Sequence, residues 1–497
     1  MKKMNLLVMS LVSAAALSFS SCSSNDDLTG GGTQSQADGV YMTLKISGAT
    51  SHGTRTSVTD GKTTTDNGSV AESTITEGMM YIYDGPTCVF RKVITKDMFE
   101  TAPTQTTAGV TKPIKVAVTG AITTGKKYDV YFLANRTNVD NPIAATSIFT
   151  STTGGADFAT DNKFVMFNQN DGTKAAAHSK VEFTDAAKSE KSPAAADEIK
   201  LDRVVARIDR PSFAETVTTV TPATDTKTSI NVADVVAGIS YEGFAVSNLN
   251  NNSYVMQNWD TNFKTLSVKW GEPKYSLPKS TYGTLYNAEG LENFDTKEKP
   301  VSWKYAFENT TTDVNDATAV YFKVKVALTE TAMAASDFKD GTFYRYDGRL
   351  YTSIKAIFDN AATGEISNPF TETNSITPAD VVAKISDADG KLTTDEAKLA
   401  KFRQDYKIEV YRQGTMYYRW AISDNAYKPF VASETTHTYS VLRNSIYRLN
   451  VTKVSEIGKD VPNGPEPDDP IKNPNFYMNV TVSINPWVLN AQPIELK

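Results

Sequence analysis

The sequence predicts an all-β protein built from two antiparallel β-sandwich domains. Runs rich in Val, Tyr, Thr and Phe recur between turn-forming clusters, as in Met79–Tyr83, Tyr128–Leu133 and Thr318–Val326. Such residues suit a pleated, half-buried surface. Helical patterns are weak, and the candidate helices are Ile230–Ala237 and Thr394–Arg403. Strands without regular helices between them favour antiparallel sandwiches over a parallel sheet.

The composition excludes several classes of protein. The net charge is −6 and the pI is near 5.4, whereas a nucleic-acid partner requires a basic face. Two cysteines, Cys22 and Cys88, cannot build a disulfide framework, and three scattered histidines do not form a metal site. We therefore expect no cofactor, no metal and no catalytic centre.

The N-terminus has the pattern of a lipoprotein signal. Lys2 and Lys3 precede an apolar stretch, Leu6–Leu17, which is too short to span a bilayer. Small residues then lead to Cys22. Cleavage before Cys22 would leave a thiol for diacylation at the new N-terminus, and the acyl chains would anchor the precursor to a membrane. The acidic residues that follow, Asp26 and Asp27, resemble the surface-export signal of Bacteroides-like lipoproteins.

Composition shifts divide the chain into six predicted segments. We expect a signal peptide over residues 1–21, a flexible tether over 22–39 and a first sandwich over 40–212. A second sandwich over 213–460 begins after a boundary near Pro211, which a Thr-rich stretch to about Thr228 follows. A linker rich in Pro, Asp and Gly occupies 461–475 and leads to a tail over 476–497.

The first and last strands of the body have the same binary pattern. In the first strand Val40, Met42, Leu44 and Ile46 alternate with polar residues or Tyr. In the last strand the apolar positions are Phe476, Met478, Val480, Val482 and Ile484, with Trp487 shortly after. Because alternate residues of a strand face the same side, either segment could fill the same apolar groove. Loss of the first strand would leave an open sheet edge that recruits the last strand of another copy.

Two motifs resemble ligand sites but lack essential parts. Gly120–Lys126 has the spacing of a phosphate-binding loop, but a strand follows it where a helix should bind the phosphates. We interpret it as a hairpin turn. Asp387-Ala-Asp389-Gly390 resembles part of a calcium loop, but Ile385 stands at the first ligand position. A solvated loop before a short helix is the simpler interpretation, and calcium binding there stays open.

The order of several motifs resembles the Bacteroidia-type (type V) fimbrillins. The resemblance includes Met80-Tyr-Ile-Tyr83, Leu201-Asp-Arg-Val-Val-Ala-Arg-Ile208, Val441-Leu-Arg-Asn-Ser-Ile-Tyr447 and the closing Met478–Trp487 pattern, and it covers nearly the whole chain. The closing pattern is similar to that of the Mfa-type short-fimbria shaft subunit, which is related to FimA-type fimbrillins.

The resemblance implies a fold, a processing route and partners. The fold would be two transthyretin-like sandwiches. The precursor would reach the outer membrane as a lipoprotein, and an arginine-specific surface protease would cut after an arginine beyond the first strand. Arg55, in Gly53-Thr-Arg-Thr56, fits that place. The freed subunit would polymerise head to tail with other copies into an extracellular fimbria that supports adhesion. Accessory tip and anchor subunits and host or bacterial surface ligands would be its other partners.

Two other functions remain open at this stage. The chain could be a tip or anchor subunit of the same fimbria, although having both Arg55 and a donor-like tail favours the shaft. It could instead be a surface glycan-binding lipoprotein, which would use exposed aromatic residues. Its tryptophans are scattered and form no obvious pair.

Overall fold

A computed structural model describes residues 39–48, 66–67, 69–100, 113–144, 146–170, 179–213, 232–258, 295–296, 302–311, 314, 316–371, 376–422, 439–454, 457–461 and 478–488. The predicted all-β class is confirmed: most elements are strands, and most strand pairs are antiparallel. No helix within these ranges is long and apolar enough to cross a membrane.

The described elements are distributed over both halves of the chain. The strands of the first half are β1 (Val40–Leu44), β2 (Ile46–Gly48), β3 (Asp66–Asn67), β4 (Gly78–Asp84), β5 (Thr87–Ile94), β6 (Ile114–Val118), β7 (Lys127–Ala134), β8 (Ile148–Thr150), β9 (Met166–Asn168), β10 (Ser179–Glu182), β11 (Ala194–Ala195), β12 (Ile199–Arg203), β13 (Ala206–Asp209) and β14 (Ser212–Phe213). Those of the second half are β15 (Val236–Ser247), β16 (Asn252–Tyr254), β17 (Asp295–Thr296), β18 (Trp303–Ala306), β19 (Asn309–Thr311), β20 (Ala319–Leu328), β21 (Phe343–Tyr346), β22 (Arg349–Tyr351), β23 (Glu409–Tyr411), β24 (Thr415–Ala421), β25 (Tyr439–Val441), β26 (Ser445–Val454) and β27 (Met478–Val488). The helices are α1 (Val70–Ser73), α2 (Lys96–Glu100), α3 (Val232–Val235), α4 (Glu330–Ala335), α5 (Ile354–Ala362), α6 (Pro378–Lys384) and α7 (Glu396–Tyr406).

Two sheets enclose the first core. One has the order β11-β1-β6, and the other has the order β2-β12-β9-β7-β4-β5 with β10 on β7. The sequence of β6, Ile-Lys-Val-Ala-Val, alternates between buried and exposed positions as a half-buried strand should. The strands of both sheets share one apolar core that includes Leu44, Met80 and Phe132. This core ends at Val205 along the chain, although Val255, Phe307 and Ile446 from the second half also join it.

A second core begins at Ala206 and lies between two further sheets. Their strand orders are β18-β13-β26-β27-β3, with β14 on β26, and β17-β15-β20-β24. The strand β13 lies before residue 212, where the first sandwich was predicted to end. It nevertheless pairs with β26 and β18 of the second half. Two small ladders, β16 with β8 and β19 with β25, complete the sheets around the cores.

A helical insertion, residues 330–411, interrupts the second sandwich between β20 and β24. It contains α4 to α7 and a small sheet of order β22-β21-β23, and it has an apolar core of its own around Ile354, Val381 and Leu399. Its helices begin at polar caps: Ser353 accepts from the Ala356 amide, and Thr377 and Asp380 form a capping box. The predicted helix over Thr394–Arg403 is observed at Glu396–Tyr406. Of the predicted helix Ile230–Ala237, the described part is helical over Val232–Val235, and β15 begins at Val236.

Candidate functional site

The first strand lies deep in the first sandwich. Val40, Met42, Leu44 and Ile46 are all buried, and the last three have no exposed surface. The antiparallel register with β6 pairs Val40 with Val118, Met42 with Val116 and Leu44 with Ile114. All three partners are themselves buried. The apolar face predicted from the sequence therefore meets a complementary apolar face on β6.

The same segment is also bonded along its other side. β1 pairs in parallel with β11, and β2 pairs in parallel with β12. The amide of Ala196 donates to the Thr43 carbonyl at 3.1 Å, and the amide of Ile199 donates to the Lys45 carbonyl at 2.8 Å. We call the slot between Ile114–Val118 and residues 194–201, which Val40–Gly48 occupies, the first-strand groove. Removal of its occupant would leave unpaired backbone groups on two sides.

The occupant of the groove contributes a large share of the domain's stability. Burying a large apolar side chain contributes roughly 1.5–3 kcal/mol, so four such residues contribute roughly 6–12 kcal/mol. A whole domain is stable by only about 5–15 kcal/mol. A first sandwich that had lost Val40–Ile46 would therefore need another strand in their place to stay folded.

The C-terminal strand lies on its own domain in this structure. β27 pairs antiparallel with β26, and Val482 is in register with Leu449, Val480 with Val451 and Ile484 with Tyr447. These three β26 residues are buried. The register also pairs Met478 with Val454, beyond a bulge, and the ladder ends where Pro486 pairs with Ser445.

Strand β27 forms a long ladder on one side and a short one on the other. Within the described ranges, its other side pairs only with β3, in parallel, at Trp487 and Val488. It is therefore close to an edge strand, whereas β1 is bonded along both sides. Its role as a donor stays a prediction. Cys22, Arg55 and Phe476 lie outside the described residues.

The walls of the groove could not be predicted from the sequence. Ile114–Val118 was recognisable as a strand from its alternating pattern, but nothing local marks it as the partner of Val40–Leu44. The second wall, residues 194–201, contains the two-residue strand β11 and the start of β12. Pairing partners are chosen by tertiary packing, so sequence alone indicates the strand and not its neighbour.

A buried polar cluster joins the two sandwiches beside α1. The Glu72 carboxylate accepts from the Ser69 amide at 2.7 Å, from Arg207 at 3.0 Å and from the Tyr305 hydroxyl at 2.9 Å. Burial alone would raise the pKa of Glu72, but the Ser69 amide, Arg207 and Tyr305 together hold this pKa below its usual value. Arg203 donates to the Glu72 carbonyl at 2.9 Å, so the start of the first sandwich is bonded to strands at the domain boundary.

A second buried contact uses the turn between β25 and β26. Arg443 donates to the Glu308 carboxylate at 2.8 Å and to the carbonyl oxygens of Tyr254 and Val255. The next residue, Asn444, donates to the Asp202 carboxylate at 2.7 Å. Because β16, which contains Tyr254, pairs with β8 of the first sandwich, this turn links both halves of the molecule.

The two motifs that resembled ligand sites have structural roles. Gly120–Lys126 leads into strand β7 and not into a helix, but β6 and β7 belong to different sheets, so the segment is not a hairpin turn. The Asp387 carboxylate accepts from the amides of Asp389 and Lys391, both at 2.9 Å, and closes its own loop. No cluster suited to a metal ion occurs among the described residues.

The chain is similar to one known protein family and to several solved structures. Residues 409–493 match the family model "Major fimbrial subunit protein type IV, Fimbrillin, C-terminal". The chain is also similar to the solved structure of a putative cell adhesion protein from Parabacteroides distasonis (14% identity, 92% of this chain and 99% of that chain, TM-score 0.41). It is similar to a fimbrilin, FimA, from Porphyromonas gingivalis (15% identity, 91% and 99% covered, TM-score 0.40). A third similar structure is the tip fimbrial protein Mfa3 from the same organism, with a C-terminal truncation (10% identity, 90% and 100% covered, TM-score 0.31). No curated protein sequence matched the chain.

The matched region contains the elements that form the second half of the site. Residues 409–493 include β23, β24, β26 and β27 and the turn at Arg443. The chain is thus a structural protein of a surface appendage and not an enzyme. It is a fimbrial subunit, and its resemblance to Mfa-type and FimA-type fimbrillins is confirmed.

Proposed function

We propose that this chain is a shaft subunit of a cell-surface fimbria and that it polymerises by donor-strand exchange. The observation that supports this most is the first-strand groove, in which an N-terminal segment is bonded along both sides. Cleavage after Arg55 would remove that segment. The C-terminal strand of a second copy would then fill the groove, and the contact would repeat head to tail.

The pairing of the two strands favours such an exchange. On its own domain, β27 has one full ladder, with β26, and a short contact with β3. In the groove of a neighbour it would have a wall on each side. The second ladder offsets the loss of the contacts with β26, and each net hydrogen bond contributes about 1 kcal/mol.

The start of the mature subunit tests this function directly. We expect fibres sheared from cells to yield an N-terminus at Thr56. Substitution Arg55→Ala should leave an uncleaved precursor and no fibres, whereas Arg91→Ala should leave processing unchanged because Arg91 lies within the folded β5 strand. Fibres that begin at a lipid-modified Cys22 would identify an anchor subunit instead.

The donor strand is tested by truncation and by paired substitutions. A chain that ends at residue 475 should be cleaved at Arg55 and remain monomeric on native gels. Val480→Asp with Val482→Asp should have the same effect, because each charge would be buried in the groove at a cost of several kcal/mol. The matched control is Asn479→Asp with Thr481→Asp, on the alternate face; Thr481 is in register with the exposed Asn450. Normal ladders from the truncated chain would contradict the proposal.

We also propose how the precursor reaches the cell surface. The precursor would be an outer-membrane lipoprotein acylated at Cys22. Cys22→Ala should abolish labelling by a palmitate analogue and prevent delivery to the surface, whereas Cys88→Ala should leave labelling unchanged. Retained lipid in the Cys22 variant would mean that the signal was wrongly interpreted.

A further inference from the structure

We propose that the helical insertion anchors the root of the C-terminal tail, and that Arg403 and Asp460 are the positioning residues of this anchor. The tail root is the segment Ile457–Val461, the last described residues before β27. Its role as the base of a donor arm rests on the function proposed above. The anchor itself rests on contacts within one chain.

One side of the tail root is bonded to the sheet. The Tyr417 amide donates to the Lys459 carbonyl at 2.8 Å, and the Lys459 amide donates to the Tyr417 carbonyl at 2.9 Å. The approach requires a glycine at 458, because a Cβ there would lie 2.5 Å from the Tyr417 carbonyl oxygen. Strand β24 therefore forms one wall of the anchor.

The other side of the tail root is bonded to the helical insertion. The Asp460 carboxylate accepts from Arg403 of α7 and from the Val410 amide, the latter at 2.8 Å. The Tyr411 hydroxyl donates to the Gly458 carbonyl at 2.7 Å. The Arg403 and Asp460 side chains are both completely buried. The tail root thus lies between the sheet and the insertion.

A buried ion pair fixes the position of a chain more than it stabilises the fold. Desolvation of two charges offsets most of their attraction, so an apolar pair of similar size would stabilise a core as well. The Arg403 and Asp460 pair instead determines where the chain is held, because an uncompensated charge would remain if Asp460 moved away. The helical insertion thus supplies the charge that holds the tail root at this place.

The position of the anchor sets the length of the arm, which is the chain between the tail root and β27. Met478 follows Val461 by 17 residues, which span at most about 60 Å when fully extended. Release of the chain back to Ser445, the first residue of β26, would lengthen the arm to 33 residues, or about 115 Å. A longer tether lowers the effective concentration of the donor strand near its groove. The anchor also prevents a pulled tail from peeling β26 off its sheet.

Amide hydrogen exchange of the full chain tests the anchor. Asp460→Asn removes the charge from the insertion side, and Gly458→Ala pushes the tail root off β24. We expect each variant to speed exchange of the Val410, Tyr417 and Lys459 amides roughly tenfold or more, since these bonds would open locally. Lys401→Ala, which removes an exposed pair with Asp405 on the same helix α7, should leave exchange unchanged. If one variant fails to fold, the other still tests the opposite wall.

The hydrogen-exchange test of the anchor can be distinguished from the polymerisation test of donor-strand exchange. A chain that ends at residue 475 should keep the three amides protected, because the anchor does not depend on the tail. Unchanged exchange in both Asp460→Asn and Gly458→Ala would overturn the anchor, even if truncation abolishes polymerisation. Conversely, if the truncated chain still forms ladders while both variants exchange faster, donor exchange is wrong and the anchor stands.

Discussion

Glu396 is a buried carboxyl whose two oxygens differ in their hydrogen bonding. Its Oε1 accepts from Arg412 at 3.0 Å, whereas its Oε2 has no hydrogen-bond partner within the described part of the chain. Burial raises the pKa of Glu396 to about 7, and this effect outweighs the attraction of Arg412 and Arg403, while Asp395 adds to it. The folded state therefore retains a proton that the unfolded chain releases near pH 4.5.

The sign of the resulting pH dependence follows from proton linkage. Between about pH 4.5 and 7 the folded chain binds more protons at Glu396 than the unfolded chain, so the free energy of unfolding falls as pH rises. The total loss from this group is up to about 3 kcal/mol. We expect Glu396→Gln to remove this component, and urea unfolding at pH 4.5 and pH 7.5 measures it. Curves with the same pH dependence in both proteins would show that Glu396 ionises normally.

At the scale of elements, β1 is the central strand of the sheet β11-β1-β6 and lies outside the mature subunit that we propose. Leu44 has no exposed surface and pairs with the buried Ile114, whereas the neighbouring Lys45 is exposed. In the uncleaved chain, Leu44→Ala should lower the free energy of unfolding by about 2–5 kcal/mol, because a buried cavity results. Lys45→Ala should change it by less than about 0.5 kcal/mol.

The same substitution has a second expected outcome after processing. Cleavage after Arg55 would remove Leu44, so assembled fibres from Leu44→Ala cells should melt at the wild-type temperature. Calorimetry of purified precursor and of sheared fibres makes this comparison. Fibres that inherit the lower stability would mean that β1 remains in the subunit.

At the scale of the whole molecule, the turn at Arg443 forms buried hydrogen bonds that join the two sandwiches. Arg443→Ala would leave the Glu308 carboxylate buried beside Gln257 without its cation. We expect a loss of about 3–5 kcal/mol in the free energy of unfolding, together with a broader distance distribution in small-angle scattering. Arg349→Ala removes an exposed pair with Glu365 and should change the free energy by no more than about 1 kcal/mol.

In a fibre, the link at Arg443 would transmit load between the two domains. Load applied to the tail would pass through the tail root and β26 to the turn at Arg443, and from there into the first sandwich. If Arg443→Ala left both the stability and the scattering unchanged, the turn would not hold the domains together.

The sequence by itself determined the strand content, the apolar faces of the first and last strands and the fimbrillin resemblance. These properties are local: a period of two residues indicates which face is buried, and ordered motifs indicate the family. Sequence patterns also indicated a helix over Thr394–Arg403, with Asp395 and Glu396 in its first turn; in the structure it begins at Glu396, and Asp395 is its N-cap. Helices α5 and α6 were missed, since they are only nine and seven residues long and their polar caps lie among loop-like residues.

Only the tertiary structure decided which segments meet. β6 and residues 194–201 enclose β1, although they lie far from it in sequence and from each other. Arg403 meets Asp460, and Arg443 meets Glu308, across long intervals of chain. A binary pattern determines the face of a strand but not its neighbour, and a charged residue in the sequence does not reveal whether it will be buried with a partner. Both outcomes depend on the packing of the whole core, where most buried polar groups find a partner.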